Sequence, residues 1–195
     1  MVEVVMAVAR TLNFDTFWKK SWRPEFIGTL VFVLRQAEVL LIHKKTGHGA
    51  GKINGPGGKL DPNESVYDCA IREVAEEVGL QVSNLTCRAE MRFVELNGPQ
   101  WLGFAFTCSH FKGDLIETPE AQPFWCGINE IPYPRMWPDD KIWLPKILTN
   151  ARRASSDPGA SNPGVDVGDY LFDDGKLLEY QPSQDPSIWA AINAD

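Results

Sequence analysis

Three glutamates, Glu73, Glu76 and Glu77, form the most informative chemical pattern in the chain. In a helix, residues three and four positions apart lie on one face, so this spacing brings the three carboxylates close together. Clustered carboxylates repel one another, and either Arg72 or a divalent metal ion could compensate them. Oxygen ligands suit Mg²⁺ or Mn²⁺, and such ions can neutralise a diphosphate and activate water. The alternative is a solvated acidic helix face, which is the ordinary role of such a run taken alone.

The residues around the glutamates predict the helix that must carry them. Ser65 followed by Asp68 forms a capping box, and Gly79 is a natural stop, so a helix is expected at about 66–78. Its apolar stripe is expected to face the core and consists of Val66, Ala70, Val74 and Val78.

The rest of the chain alternates strand patterns with turn signals and one more helix. A glycine-rich loop from Thr46 to Gly58 precedes the carboxylate helix. Strands packed against two helices indicate a mixed α/β sandwich. The other predicted elements are strands at 27–34 and 39–44, an antiparallel pair at 85–96 and 101–111, a strand near 124–128, a helix at about 140–152, and a short hairpin at 170–172 and 177–181.

Length and composition indicate an ordinary globular protein. The chain has 195 residues, 44% of them hydrophobic and 23% charged, which suggests one domain with additions or two small ones. The four cysteines show no C-x-x-C spacing, so we expect small core residues in a reducing compartment. No apolar run approaches the roughly 20 residues of a membrane span, and the first residues lack the basic region of a secretory signal. A cytoplasmic location without membrane contact is expected, and organellar targeting stays open.

The net charge of −7 is concentrated at the C-terminal end. Residues 155–195 contain one basic side chain, Lys176, against eight acidic ones, which leaves the remaining residues neutral. A chain without a broad basic face is not expected to bind duplex nucleic acid. A polyanionic small molecule would need local lysines and metal ions.

The glutamates belong to a longer pattern. Gly58, Glu64 and the run from Arg72 to Leu80 (REVAEEVGL) fit the signature of the Nudix family, called the Nudix box, at every fixed position. The chain therefore resembles hydrolases that cleave a diphosphate bond in nucleotide-like substrates with Mg²⁺, or with Mn²⁺. The resemblance implies an α/β/α sandwich with a mixed sheet.

The same resemblance implies roles for individual residues. Arg72 would orient the glutamates, Glu64 would be its salt-bridge partner, and Glu73 would also position or deprotonate the attacking water. The implied catalytic and metal-binding set is Gly58, Arg72, Glu73, Glu76, Glu77 and, from a later loop, Glu120.

Two further segments bear on the substrate. Residues 28–54 and the run from Met136 to Asp140 (MWPDD) resemble the branch of the family that acts on oxidised purine nucleoside triphosphates. Trp137 offers a flat face for a purine, and Asn54 offers both a donor and an acceptor. The adjacent carboxylates Asp139 and Asp140 could shift their pKa values apart, so that one stays protonated and donates a hydrogen bond. By resemblance, Thr29 and Lys44 complete the pocket, and 8-oxo-dGTP, with 2-hydroxy-dATP as a second candidate, is cleaved to the monophosphate and pyrophosphate.

Each of these residues also has a structural interpretation. Asp139 could be the N-cap of the second helix and Trp137 a core residue. Asn54 could be a turn residue, and Lys44 a solvated strand end. The chain also departs from the resembled enzymes, since His48 stands where they have phenylalanine and Ile53 where they have tryptophan.

Outside the region of resemblance, three segments have no assigned role. Residues 1–26 form an extension whose Phe14, Phe17, Trp18 and Trp22 would pack on the domain or form a dimer contact, so monomer and homodimer both stay open. The hydrolase domain is expected at 27–182, with a flexible insert at about 155–168 that is rich in Ser, Pro and Gly. A tail follows at 183–195.

Three rival functions remain. The first is the same chemistry on ADP-ribose, a diadenosine polyphosphate or an RNA 5′ end, although the neutral core argues mildly against RNA. The second is a nucleotide-sensing or protein-binding module without turnover. The third is an isoprenoid diphosphate isomerase, which needs a catalytic cysteine, and Cys69 is expected on the wrong face of the carboxylate helix for that role.

Overall fold

The computed structural model describes residues 22–156, 164–183 and 187–192. The described elements are β1 (Phe26–Arg35), β2 (Glu38–Lys44), β3 (Ile53–Asn54), α1 (Val66–Val78), β4 (Gln81–Ser83), β5 (Thr86–Glu95), β6 (Trp101–Cys108), β7 (His110–Lys112), β8 (Ala121–Gly127), α2 (Asp140–Ser156), β9 (Asp166–Asp173), β10 (Lys176–Pro182) and α3 (Ile188–Ile192), with 3-10 turns at Ile128–Glu130 and Tyr133–Arg135.

The main sheet contains parallel and antiparallel pairs. Its strand order is β10-β9-β5-β6-β1-β2-β3, with β8 paired to β2. β1 runs parallel to β6, and β5 runs parallel to β9, whereas β5 and β6 are antiparallel. The predicted mixed sheet is confirmed, and β4 and β7 form a separate small ribbon.

The pairing of β1 with β2 is confined to the turn, at Leu34–Val39 and Arg35–Glu38. Further along β1, the loop after β3 takes the neighbouring position. The Thr29 N–H donates to the Gly58 carbonyl at 2.9 Å, and the Val31 N–H donates to the Pro56 carbonyl at 2.8 Å. The glycine-rich loop is therefore held against the strand that forms one wall of the site.

Helix α1 has the predicted bounds because both of its ends are capped. The Ser65 hydroxyl accepts from the Asp68 N–H at 3.0 Å. Gly79 takes a left-handed conformation with φ of 77°, and its N–H donates to the Ala75 carbonyl. Ala70, Val74 and Val78 are fully buried against the sheet, so the opposite face of the helix is free to carry carboxylates.

Helix α2 covers the other face of the sheet. Trp143, Leu144 and Ile147 are buried there against Phe32 and Leu41. Burial of one such side chain contributes about 1.5–3 kcal/mol. The apolar residues of α1 on one face of the sheet and of α2 on the other therefore hold both helices firmly in place. The order helix, sheet, helix confirms the predicted α/β/α sandwich.

The structure corrects the predicted insert at 155–168. Helix α2 continues to Ser156, and β9 begins at Asp166, so only residues 157–163 of the insert lie outside the described residues. Local composition missed this strand because its stability comes from parallel pairing with β5, in which Ala89 lies opposite Asp166. The predicted 170–181 hairpin is confirmed as the longer pair β9 and β10.

The described part of the C-terminal tail packs on the domain. The Trp189 ring lies 5.7 Å from Phe104 and 5.3 Å from Phe106. Glu90 accepts from the Ser187 hydroxyl at 2.8 Å and from the Trp189 N–H at 2.9 Å. A buried carboxylate on β5 therefore holds the start of α3 against the sheet.

Of the aromatic residues in the N-terminal extension, Trp22 is described, and its indole N–H donates to the Phe93 carbonyl at 3.4 Å. Phe14, Phe17 and Trp18 lie outside the described residues. The four cysteines are buried and free, as expected. Among the described helices, none combines the length and apolar character that a bilayer span requires.

Candidate active site

A cavity of about 880 Å³ opens between β1, β5 and β6, the loop before α1, and the start of α2. This volume is typical of a small-molecule site. The predicted site residues that line it are Thr29, Lys44, Asn54, Gly58, Glu73, Glu120, Trp137, Asp139 and Asp140. Arg72, Glu76 and Glu77 do not line the cavity, so the structure places these three outside its wall.

Arg72 is the centre of the carboxylate cluster. Its Nε and Nη2 donate to the two oxygens of Glu64 at 2.7 and 2.8 Å. Its Nη1 donates to Glu73 at 2.9 Å and to Glu76 at 3.0 Å. The hydrogen bonds from Arg72 lower the pKa of Glu64 to about 2. Burial raises the pKa of Glu73, and Arg72 opposes that shift. The guanidinium therefore fixes the direction of the glutamates, as the family resemblance implies.

Glu77 has different partners from Glu73 and Glu76. Its side chain is 2% exposed and pairs with the ammonium of Lys44. Its second oxygen accepts from the Gly57 N–H at 2.9 Å. Lys44 also lies 3.9 Å from Glu120, which is mostly exposed. Lys44 is therefore a half-buried ion-pair partner, so its interpretation as a solvated strand end is wrong.

The carboxylates are compensated by protein cations. Within the described ranges, no three carboxylate, histidine or cysteine side chains converge as a metal ion requires; Glu73 and Glu76 bond Arg72, and Glu77 bonds Lys44. The donor set is nonetheless chemically suited to a divalent cation, since it consists of carboxylates and the backbone oxygen of Gly58. A Cβ at Gly58 would lie 2.3 Å from a Glu73 oxygen, so the backbone approaches this carboxylate as only glycine permits. These residues therefore fit a hard cation, provided that the contacts with Arg72 and Lys44 rearrange.

The opposite end of the cavity contains two buried neighbouring carboxylates. Asp139 is 3% exposed and Asp140 is 1% exposed. Asp139 accepts from the Trp143 indole N–H at 2.9 Å, and Asp140 accepts from the Trp137 N–H at 2.8 Å. Burial raises the pKa of both, and the charge of Asp139 raises that of Asp140 further. Burial and mutual repulsion therefore both favour protonation of this pair, and a single proton on it would leave one donor and one acceptor on adjacent groups.

The start of α2 combines a structural role with pocket lining. Asp140 is the first helical residue and holds the Trp137 backbone, while the Asp139 side chain is engaged by Trp143. Asn54 also has a structural role and lines the pocket. Its Oδ1 accepts from the Gly55 N–H at 2.8 Å, and the residue lies in the cavity wall. The structural and pocket interpretations of these residues therefore coexist.

Cys69 and Ile53 lie near the cavity but do not line it. The Thr29 hydroxyl lies 3.5 Å from the Cys69 sulfur. Cys69 is fully buried, and its pKa is raised to about 11, mainly by burial. A buried neutral thiol is a poor nucleophile, which disfavours the isomerase alternative. Ile53 is 1% exposed in the core and does not line the cavity, so its departure from the resembled enzymes does not reach the site directly.

Several cavity residues were not predicted from the sequence. Period-two alternation on the predicted strand pair at 85–96 and 101–111 could have identified most of them, because alternate residues of a strand face the same side. His48 lines the cavity from the glycine-rich loop, and its pKa is lowered by burial and by Lys59 and Lys44. The lining residues missed on the strands and hairpin tips include Met91, Phe93, Glu95, Trp101, Gly103, Asp173 and Asp174.

Comparison with known proteins identifies the chain's relatives. The NUDIX domain model matches residues 24–147. The oxidized purine nucleoside triphosphate hydrolase of Mus musculus is 40% identical over 62% of this chain and 78% of that protein. The protein of the same name from Danio rerio is 38% identical over 64% of this chain and 80% of that protein.

Solved structures agree on the fold. A MutT protein from Bacillus halodurans superposes with a TM-score of 0.65 at 24% identity, covering 83% of this chain and 99% of that one. At this identity the likeness shows the fold alone. The match of the NUDIX model over most of the chain, together with relatives covered over more than two thirds of their length, shows that the chain belongs to the Nudix family of hydrolases.

Proposed function

We propose that this chain hydrolyses oxidised purine nucleoside triphosphates to the monophosphate and pyrophosphate with a divalent metal ion. The observation that carries the proposal is the buried Asp139–Asp140 pair, which lines the same cavity as Trp137, Asn54 and the box carboxylate Glu73. The relatives from Mus musculus and Danio rerio, which are named for this activity, support it.

The Asp139–Asp140 pair supports recognition of an oxidised base. Oxidation of guanine at C8 converts the N7 acceptor into an N–H donor. A pair with one protonated and one ionised carboxyl group presents a donor beside an acceptor, which can match both edges of such a base. Asn54 adds an amide, and Trp137 adds an aromatic face. A buried polar group left unpaired by the wrong base would be costly, and this cost is the source of discrimination.

The other end of the cavity supports diphosphate chemistry. Glu73, Glu76, Glu77 and the Gly58 carbonyl, with Glu120 from the later loop, would hold Mg²⁺ or Mn²⁺. When bound, this ion would neutralise phosphate charge and lower the pKa of a coordinated water. Glu73 is the box carboxylate that lines the cavity, which makes it the residue best placed to orient the attacking water. Lys44 contributes a positive charge on the same wall.

The cysteines and the kind of substrate bear on the compartment and the assembly. Four free buried thiols suit a reducing compartment such as the cytoplasm. The substrate is a free nucleotide that a monomer or a homodimer could bind. Duplex nucleic acid and membranes are not proposed partners.

A substrate panel tests the assignment. Pyrophosphate release with Mg²⁺ is compared for 8-oxo-dGTP, 2-hydroxy-dATP, dGTP and dATP, with loss of ADP-ribose followed in parallel. We expect an oxidised purine to exceed its normal counterpart by about 10-fold or more in kcat/KM, worth about 1.4 kcal/mol of transition-state binding. Asn54→Ala and Asp139→Ala should each reduce that preference.

Two variants separate chemistry from recognition. Glu76→Gln should lower the rate on every substrate, while the exposed Glu179→Gln on β10 should leave all rates unchanged. If ADP-ribose or unmodified dGTP is the best substrate, the proposed base recognition is wrong, although the hydrolase chemistry stands. If Glu76→Gln retains the full rate, the proposed metal site is wrong.

A further inference from the structure

His48 lies between two tryptophans in the cavity. Its ring centroid is 4.8 Å from that of Trp101, with 22° between the planes, and 5.0 Å from that of Trp137, with 18° between the planes. Both distances fall in the range of aromatic stacking. The imidazole therefore occupies a slot that has an indole on each side.

The two indoles come from different ends of the site. Trp101 is the first residue of β6 and adjoins Gly28, whose hypothetical Cβ would lie 3.7 Å from it and 3.2 Å from the Gly58 carbonyl. Trp137 precedes α2, and its backbone is held by Asp140. The slot therefore spans the cavity between the box glycine and the buried aspartates, along the path that a nucleotide would occupy.

Weak contacts hold His48 in this slot. Across the described residues, the imidazole makes ring contacts but no hydrogen bond or ion pair, and the residue as a whole is exposed. Gly47, Gly49 and Gly51 on either side of it have left-handed φ angles of 73°, 82° and 86°. Added Cβ atoms at Gly47 and Gly51 would meet nothing within 4 Å, so open space surrounds the loop there. Only the two ring contacts, with Trp101 and Trp137, therefore oppose withdrawal of the imidazole among the described residues.

A purine is a better occupant of this slot than an imidazole. Its fused rings offer more stacking area to each indole, and it can also reach polar groups that His48 does not contact. Stacking on both faces would also orient the base more firmly than Trp137 alone. The slot thus has the shape of a base site filled by a side chain of the protein itself.

We propose that His48 is a displaceable occupant of the slot between Trp101 and Trp137, and that the purine of the substrate takes its place. Trp101 then becomes a specificity-determining wall of the site, opposite Trp137. The identity of the purine rests on the proposed function. An occupied slot lowers the apparent affinity by the fraction of time for which it is closed.

Nuclear magnetic resonance tests the displacement directly, with 8-oxo-dGMP as the probe and no metal. The chain has three histidines, so the His48→Asn variant assigns the His48 ring signal. In the free protein we expect this signal well upfield of that of the exposed His110, because two indoles shield it. The Trp143 indole N–H, which is bonded to Asp139, reports entry of the base independently.

Saturating 8-oxo-dGMP should shift the Trp143 signal and move the His48 signal to the position of a solvated histidine. A shift at Trp143 with an unchanged upfield His48 signal overturns the displacement and leaves the proposed function standing. No shift at either residue overturns both. A His48 signal that is not upfield in the free protein overturns the displacement alone.

Binding constants of three variants provide an independent test. His48→Ala should bind 8-oxo-dGMP about 2- to 10-fold more tightly, because the slot is then always open. Trp101→Leu should bind it about 10-fold more weakly, because one wall is lost. His110→Ala, on the separate ribbon strand β7, is the matched control and should bind as the parent does. Weaker binding by His48→Ala would mean that the histidine stacks on the base, and the proposal would be wrong.

Discussion

Gly58 and Glu73 approach each other so closely that a Cβ on the glycine would lie 2.3 Å from a carboxylate oxygen. They belong to the loop before α1 and to the helix itself, and Arg72 donates to the same Glu73 oxygen at 2.9 Å. The position of this carboxylate is therefore set by a missing side chain on one side and by a guanidinium on the other.

Gly58→Ala should lower kcat/KM by about 100-fold, because the methyl group must displace Glu73, and a shift of about 1 Å at a reacting centre can have an effect of this size. The fold should persist, since the Glu73 side chain can move into the cavity. Pyrophosphate release and far-ultraviolet circular dichroism measure the two effects.

Gly127→Ala is the matched control for this substitution. Its added Cβ would also meet a carboxylate, at 2.9 Å from Glu130, but Glu130 is exposed and outside the cavity. The control should keep full activity. Equal losses in the two variants would contradict the role assigned to the contact between Gly58 and Glu73.

Removal of divalent cations should abolish activity without unfolding the protein. Arg72 and Lys44 compensate the carboxylates in the described fold, so we expect the fold to persist without a metal ion. Excess EDTA should eliminate pyrophosphate release, and Mg²⁺ or Mn²⁺ should restore it. The thermal midpoint should fall by at most a few degrees, through loss of ligand linkage. Unfolding upon chelation would show that the metal is structural.

The Asp139–Asp140 pair should make stability depend on pH. Burial raises the pKa of Asp139 from 3.8 to about 6, so the folded state favours the protonated form. The stability associated with that proton is fully present below the unfolded pKa and is lost as the pH rises through the folded one. A shift of this size is worth about 3 kcal/mol.

Asp139→Asn removes the titrating group while keeping an oxygen for the Trp143 indole. The variant should therefore show a shallower decline in stability between about pH 4 and pH 6 than the parent, because Asp140 alone still titrates with a pKa raised by burial, and at pH 7 it should be at least as stable as the parent. Urea unfolding of both proteins at intervals from pH 4 to pH 8 measures the difference. Parallel pH profiles would show that Asp139 titrates normally.

Glu90→Gln should destabilise the domain and leave catalysis nearly unchanged. Glu90 is fully buried, pairs with Arg92 at 2.8 Å and holds the start of α3 through Ser187 and Trp189. Loss of its charge weakens the buried pairing with the Arg92 guanidinium, which costs about 3 kcal/mol. Urea unfolding gives the free energy, and kcat/KM for the best substrate tests the site.

Ser187→Ala is the milder companion, because it removes one hydrogen bond and should cost about 1 kcal/mol. Both losses should appear without a change in KM, since neither residue lines the cavity. A raised KM in either variant would indicate that the C-terminal segment influences the site.

Local patterns were sufficient for α1 and its chemistry. Ser65 and Gly79 set its ends, and the spacing of Glu73, Glu76 and Glu77 places the carboxylates together, because caps and helical periodicity act within a few residues. Strands β1 and β2 were also predictable, because β-rich runs and the short turn between them are local signals. The ion-pair partners of the three glutamates could not be predicted in this way. Glu77 is paired with Lys44 on β2, while Glu73 and Glu76 share Arg72.

Residues far apart in the chain required the folded structure. Trp101 is beside the site because β1 and β6 pair in parallel with Phe26 opposite it, and His48 reaches it from a loop between two other strands. Strand β9 and the anchoring of Trp189 by Glu90 likewise depend on partners about 80 or 100 residues away. The chain's local signals therefore specified the carboxylate helix and the enzyme family. The register of the strands specified which aromatic rings face one another across the cavity, because that register depends on the burial of the whole sheet and on no single segment.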